Sequence, residues 1–77
     1  MASPAYNLAR YDFVSIRLTV LCAQTGSLTT AARHCNLVLP AASRRLKELE
    51  AAVGCPLFER HSRGLTMTAA GRVFLRR

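Results

Sequence analysis

The sequence predicts a small, mainly α domain with a three-helix core, a two-stranded β hairpin and the start of a further helix. Three observations predict it. Apolar residues recur at helical spacing in three successive stretches, Gly or Asn closes each stretch, and two short apolar segments flank the turn residues Ser62, Arg63 and Gly64. At 77 residues there is room for one domain, and a chain of this size buries only about 60% of the surface its unfolded form exposes. Hydrophobic residues make up 51% of the chain and charged residues 19%, too apolar and too weakly charged for intrinsic disorder.

Residues 1–10 carry Ser3, Pro4 and Asn7 without an apolar period and are expected to form a loose N-terminal arm; the folded unit is expected over residues 11–68. After Asp12, a possible N-cap, Phe13, Ile16, Val20 and Ala23 recur at helical spacing until Gly26, which predicts the first helix. Ser27 can cap the second, in which Leu28, Ala31, Ala32 and Cys35 form a narrow stripe of mostly small residues. Asn36 tolerates the left-handed conformation that ends such a helix. The third starts near Pro40, where a missing N–H costs nothing, and runs to Val53 before Gly54. Strands are expected over 57–60 and 65–68, with Gly64 free to take positive φ in the turn. Thr68 should cap a last helix over residues 69–77, cut short by the chain end.

Eleven Lys and Arg against four Asp and Glu give a net charge of +7, which directs attention to a polyanion partner. No run approaches the ~18 apolar residues that span a bilayer, and the first residues lack the basic-then-apolar order of a signal peptide, so a cytoplasmic protein without a membrane partner is expected. Cys22, Cys35 and Cys55 are odd in number and lack zinc-site spacing; they read as small core residues in a reducing compartment. His34 and His61 have no metal-spaced partners and read as surface residues. No catalytic triad, metal cluster or glycine-rich phosphate loop is present, so neither an enzyme nor a cofactor is expected.

The position of the charges carries the functional reading. On a wheel of ~100° per residue, Ala42, Leu46, Leu49 and Val53 share one face of the third helix. Pro40, Ser43, Arg44 and Lys47 gather nearly opposite, with Glu48 and Glu50 on the flanks. Short side chains followed by long cationic donors suit close approach to a major groove. A two-turn helix, a short turn and then a longer helix with such a face is the helix-turn-helix plan. Ser27 and Thr29 at the start of the second helix could donate to a phosphate as well as cap. The hairpin sets Arg63 at its tip, within reach of an adjacent minor groove, with Arg60 and His61 at its base.

The segment from Gly26 to Gly71 resembles the N-terminal domain of LysR-type transcriptional regulators, and with the first helix the resemblance covers roughly residues 11–77. Gly26-Ser27, Ala31-Ala32, Pro40 with Ser43-Arg44, Leu49-Glu50, Gly54, the run from Pro56 to Arg60, Arg63-Gly64, and Thr68 with Gly71 match in order and spacing. The resemblance implies a winged helix-turn-helix whose last helix is the start of a linker that pairs subunits into dimers or tetramers on promoter inverted repeats. It also implies a separate C-terminal domain through which any small-molecule effector acts. Its base-contacting positions fall on Leu39, Pro40, Ser43 and Arg44, with the wing contact at Arg63. Two departures stand out: Val38 replaces a usual capping Ser, and Leu39 a usual Gln; Thr19 also replaces a large apolar residue. The full set of expected DNA-binding residues is Ser27, Thr29, Leu39, Pro40, Ser43, Arg44, Lys47, Arg60 and Arg63. The competing reading is a basic winged-helix module for nonspecific nucleic-acid or protein binding, which would spread its charge evenly.

Overall fold

The computed structural model describes residues 13–76, so the expected arm over residues 1–10 and the Asp12 cap lie outside the described residues. The element order is α1 (Phe13–Thr25), α2 (Leu28–His34), α3 (Leu39–Val53), β1 (Phe58–His61), β2 (Gly64–Met67) and α4 (Ala69–Arg76). The predicted three-helix core, wing and following helix are all present.

Helix α1 turns inward a face that only partly overlaps the one expected. The buried row is Ser15, Leu18, Thr19 and Cys22, whereas of the expected row Ile16 and Ala23 pack partly against the core, Phe13 is 77% exposed and Val20 37%. Both rows have helical spacing, so periodicity could not separate them. Packing against the small stripe of α2 favours the row of modest side chains. Its two polar members are satisfied: Thr19 Oγ1 donates to the Ser15 carbonyl at 2.8 Å, and Ser15 Oγ accepts from Arg45 Nη1 of α3 at 3.3 Å. Thr19 is thus accommodated in the core by a bond within its own helix.

Ser27 caps α2 as expected, accepting from the Thr30 N–H at 3.1 Å, and Ala31 and Ala32 are buried beneath it. Cys35 lies just past the helix and is half-buried, and Asn36 has φ 57°, the predicted left-handed stop. Helix α3 begins one residue before Pro40 and has Val38 at its N-cap with no side-chain cap bond. Ala42, Leu46 and Leu49 of α3 are buried, and Val53 is half-buried. Leu18, Cys22, Leu57 and Phe58 join them in the core.

The antiparallel wing pairs Phe58 with Met67, Glu59 with Thr66, Arg60 with Leu65 and His61 with Gly64. Each strand therefore lies one residue nearer the turn than expected, and Leu57 and Thr68 fall outside them. They still face each other across the base of the hairpin. Leu57 is fully buried and its carbonyl accepts from the Thr68 N–H at 3.0 Å. Thr68 Oγ1 accepts from the Gly71 N–H at 3.0 Å, the predicted cap of α4, and donates to the Pro56 carbonyl at 2.8 Å. Gly64 has the expected positive φ, 130°, but as the first residue of β2 rather than in the turn proper. A Cβ there would also collide with the Gly26 carbonyl, against which the wing docks through a 2.9 Å bond from the Leu65 N–H.

Candidate nucleic-acid interface

Helix α3 presents Pro40, Arg44 and Lys47 exposed, with Ser43 half-buried between them. These four line a shallow concavity of about 500 Å³ together with Ala51 and Glu48, so Glu48, expected on the flank, borders it as well. Pro40 and Ser43 also line a second concavity of about 500 Å³ on the wing side of α3. There the fold assembles Ser27 and Thr29 from the start of α2, Leu39 from the start of α3, and Arg60 from the wing. Six of the nine residues expected from sequence thus border one surface, and Arg44 and Lys47 continue it along the helix. Arg63 lines neither concavity; it is exposed at the two-residue turn between β1 and β2.

Several polar contacts order this surface. Arg60 Nη2 donates to Ser43 Oγ at 3.1 Å, tying the wing to α3. His61 is exposed as expected but lies beside the turn rather than at the hairpin base, because it pairs with Gly64, and it organises the wing tip: its Nδ1 accepts from the Arg63 N–H at 3.3 Å, which leaves Nε2 to carry the proton toward Thr66 Oγ1 at 2.6 Å. Leu37 packs against the core, while Val38 is 71% exposed and Leu39 46%. The turn between α2 and α3 is therefore plugged by Leu37, and Leu39 opens onto the concavity.

Two residues support the surface in ways the sequence did not indicate: Glu50, read only as a flank position and part of a matching motif, and Arg45. Glu50 Oε2 accepts from the Leu57 N–H at 2.8 Å and the Phe58 N–H at 3.2 Å, fixing the wing base to the last turns of α3. Arg45, through Ser15, fixes α3 to α1. The local sequence reveals neither contact, because Glu50 bonds across the loop to residues 7 and 8 positions on and Arg45 to a residue 30 positions back.

Cys22 is fully buried, and burial first, then the neighbouring Cys35, pushes its thiol up from 9.0 to about 11. A neutral thiol of this kind behaves as a small apolar core residue. Cys35 and Cys55 are only half-buried, at the edge of the core rather than inside it. Among the described residues, no group of three His, Cys, Asp or Glu could hold a metal ion, and no helix is long and apolar enough to cross a membrane.

Residues 13–72 match the family model described as bacterial regulatory helix-turn-helix protein, lysR family. The chain is 40% identical over 60 residues to the HTH-type transcriptional regulator TfdT of Cupriavidus pinatubonensis, a match covering 78% of this chain and 26% of TfdT. It is 45% identical over 53 residues to the HTH-type transcriptional regulator CzcR of Bacillus cereus, covering 69% of this chain and 18% of CzcR. Among solved structures, the CbnR DBD–DNA complex superposes with a TM-score of 0.79 at 34% identity, covering 84% of this chain and 75% of that one. The chain thus spans about a quarter or less of the length of these curated relatives.

Proposed function

The chain belongs to the lysR family of bacterial regulatory helix-turn-helix proteins, and on that premise we propose that it is the sequence-reading, DNA-binding domain of a transcriptional regulator. The observation that carries this reading is the single continuous surface on which Ser27, Thr29, Leu39, Pro40, Ser43 and Arg60 meet and along which Arg44 and Lys47 extend. Helix α3 enters the major groove with Leu39, Pro40, Ser43 and Arg44 toward base edges. Lys47 and the start of α2, with Thr29 exposed, face phosphates. Ser27 already accepts from Thr30, so its part at DNA is to donate its hydroxyl proton while it caps. Arg63 at the wing tip reaches an adjacent minor groove.

In this reading residues 11–68 form the DNA-binding unit and 69–77 begin a linker through which subunits pair, working in the cytoplasm on duplex promoter repeats. An apolar concavity of about 710 Å³ between α1, the end of α3 and α4, lined by Ile16, Val20, Val53, Val73 and Phe74 among others, supports pairing at that end. A small-molecule effector would act through a domain outside these 77 residues.

The test is a titration of the chain against a duplex selected from a randomised library, a scrambled duplex and an RNA hairpin, each at several salt concentrations. Four to six phosphate contacts per monomer would give a log–log slope of about −0.9 per contact on duplex DNA. A flat salt response, or equal affinity for all three probes, overturns the reading.

A further inference from the structure

Arg60 sits on β1 with its side chain exposed, and a cation in that place invites assignment as one more phosphate contact. Its geometry says something more specific. The guanidinium Nη2 donates to Ser43 Oγ at 3.1 Å, across 17 residues of chain and between two different elements. Ser43 is half-buried and borders both concavities of the reading surface, so its hydroxyl stands at the centre of the face proposed for the major groove.

A guanidinium can only donate, so Ser43 Oγ must act as the acceptor in this bond. One lone pair of the oxygen is occupied by a cation and the rotation of the hydroxyl is restricted. Among the described residues the Ser43 proton has no acceptor of its own. Donation from a charged group polarises the O–H further and makes it the stronger donor. A free serine hydroxyl can serve either a donor or an acceptor on a base edge; one held in this way favours an acceptor.

Resting on the DNA-binding reading above, we propose that Arg60 is a positioning residue that makes Ser43 a hydrogen-bond donor to a major-groove base acceptor, so that cytosine is disfavoured at the base it meets. The chemistry of the groove sets that outcome. Guanine offers N7 and O6, adenine N7 and thymine O4 as acceptors, whereas cytosine presents only its N4 amino donor there. The wing thereby contributes to base selection without touching a base.

The experiment is selection and sequencing of bound duplexes from a randomised library, with Kd measured on duplexes that differ at the single discriminating position. The 77-residue chain is compared with Ser43→Ala, Arg60→Met, Arg60→Lys and the Ser43→Ala, Arg60→Met double variant, each checked for folding by circular dichroism. The unmodified chain is expected to disfavour cytosine at one position by about fivefold, the size of one ordinary hydrogen bond. Ser43→Ala and Arg60→Met should each abolish that discrimination, the double variant should lose no more, and Arg60→Lys, which keeps a cationic donor, should retain it. If Arg60→Met instead weakens all sequences equally and keeps the discrimination, Arg60 is a phosphate contact and the proposal is overturned. Retained discrimination in Ser43→Ala overturns it as well, independently of any Arg60 variant. An unmodified chain that enriches no motif overturns the DNA-binding reading itself, and the proposal with it.

Discussion

Leu39 offers the sharpest test of the proposed DNA contact. Its side chain lies one residue before Pro40 at the start of α3, is 46% exposed, and borders the concavity shared with Ser27, Thr29 and Ser43. Leu can neither donate nor accept, so the one major-groove feature it complements is the thymine methyl. Its exposed half is large enough to cover one such methyl, and burying a group of that size contributes about 0.8 kcal/mol, or roughly fourfold in Kd. Replacing the contacted thymine by deoxyuridine deletes only the methyl and should weaken binding by about that factor. Leu39→Gln should abolish the deoxyuridine penalty and introduce a preference for adenine through paired amide contacts. Because the side chain is outside the core, the melting temperature of Leu39→Gln should stay close to that of the parent, within the ±0.5 kcal/mol usual for surface changes. A fluorescence-anisotropy titration on the two duplexes measures the penalty directly. If it is absent in the parent, or undiminished in Leu39→Gln, the assignment of Leu39 to the base edge is wrong.

Arg44→Ala should cost on the order of 1 to 3 kcal/mol of binding and relax selection at one base position, read by the same library selection. Arg63→Ala should weaken binding most on sites flanked by a narrow, A·T-rich minor groove, and a loss equal on A·T-rich and G·C-rich flanks would place Arg63 outside that groove. Glu50→Ala leaves the Leu57 and Phe58 N–H groups without their carboxylate acceptor, and a lowered melting temperature equivalent to about 1 to 3 kcal/mol is expected. Cys22, whose thiol is raised from 9.0 to about 11 by burial, contributes stability that is complete below pH 9 and lost as the pH rises toward 11, because the folded state holds the proton more tightly. Melting curves across that window should fall more steeply for the parent than for Cys22→Ala.

Much of this fold is legible in the sequence because its signals are local. Ser27, Asn36, Gly54 and Thr68 each mark a helix end through their own side chain or backbone conformation, and each does so in the structure. The outer face of α3 is legible for the same reason: one helix supplies Pro40, Ser43, Arg44 and Lys47. The inward face of α1 is not, since Phe13 and Val20 are apolar yet exposed while Ser15 and Thr19 are polar yet buried. Only the identity of the packing partner decides between two rows of equal periodicity. The strand bounds shift by one residue toward the turn for a related reason, because the capping of α4 and the Glu50 carboxylate engage Thr68 and Leu57, and neither demand is visible in the alternation of the strands.

Those same nonlocal contacts make the reading surface one body. Glu50 projects from α3 to hold the backbone at Leu57, whose carbonyl accepts from Thr68; Thr68 starts α4, and a Cβ at Gly71 would strike that carbonyl. On the opposite side, Leu65 bonds to Gly26 at the turn before α2, and Arg60 reaches Ser43. The wing is therefore gripped by α3 at its base and again at its middle, and it touches the segment that leads into α2. A rotation of the wing cannot occur without disturbing either the Ser43 hydroxyl or the Glu50 carboxylate. If Arg63 and the α3 face contact the minor and major grooves as proposed, these bonds predict that the spacing between the two contacts is a fixed property of the chain. On that proposal, shape matching would select among duplexes by groove width as well as by base identity, and the cost of a mismatched flank would fall on the DNA that has to deform to meet the surface.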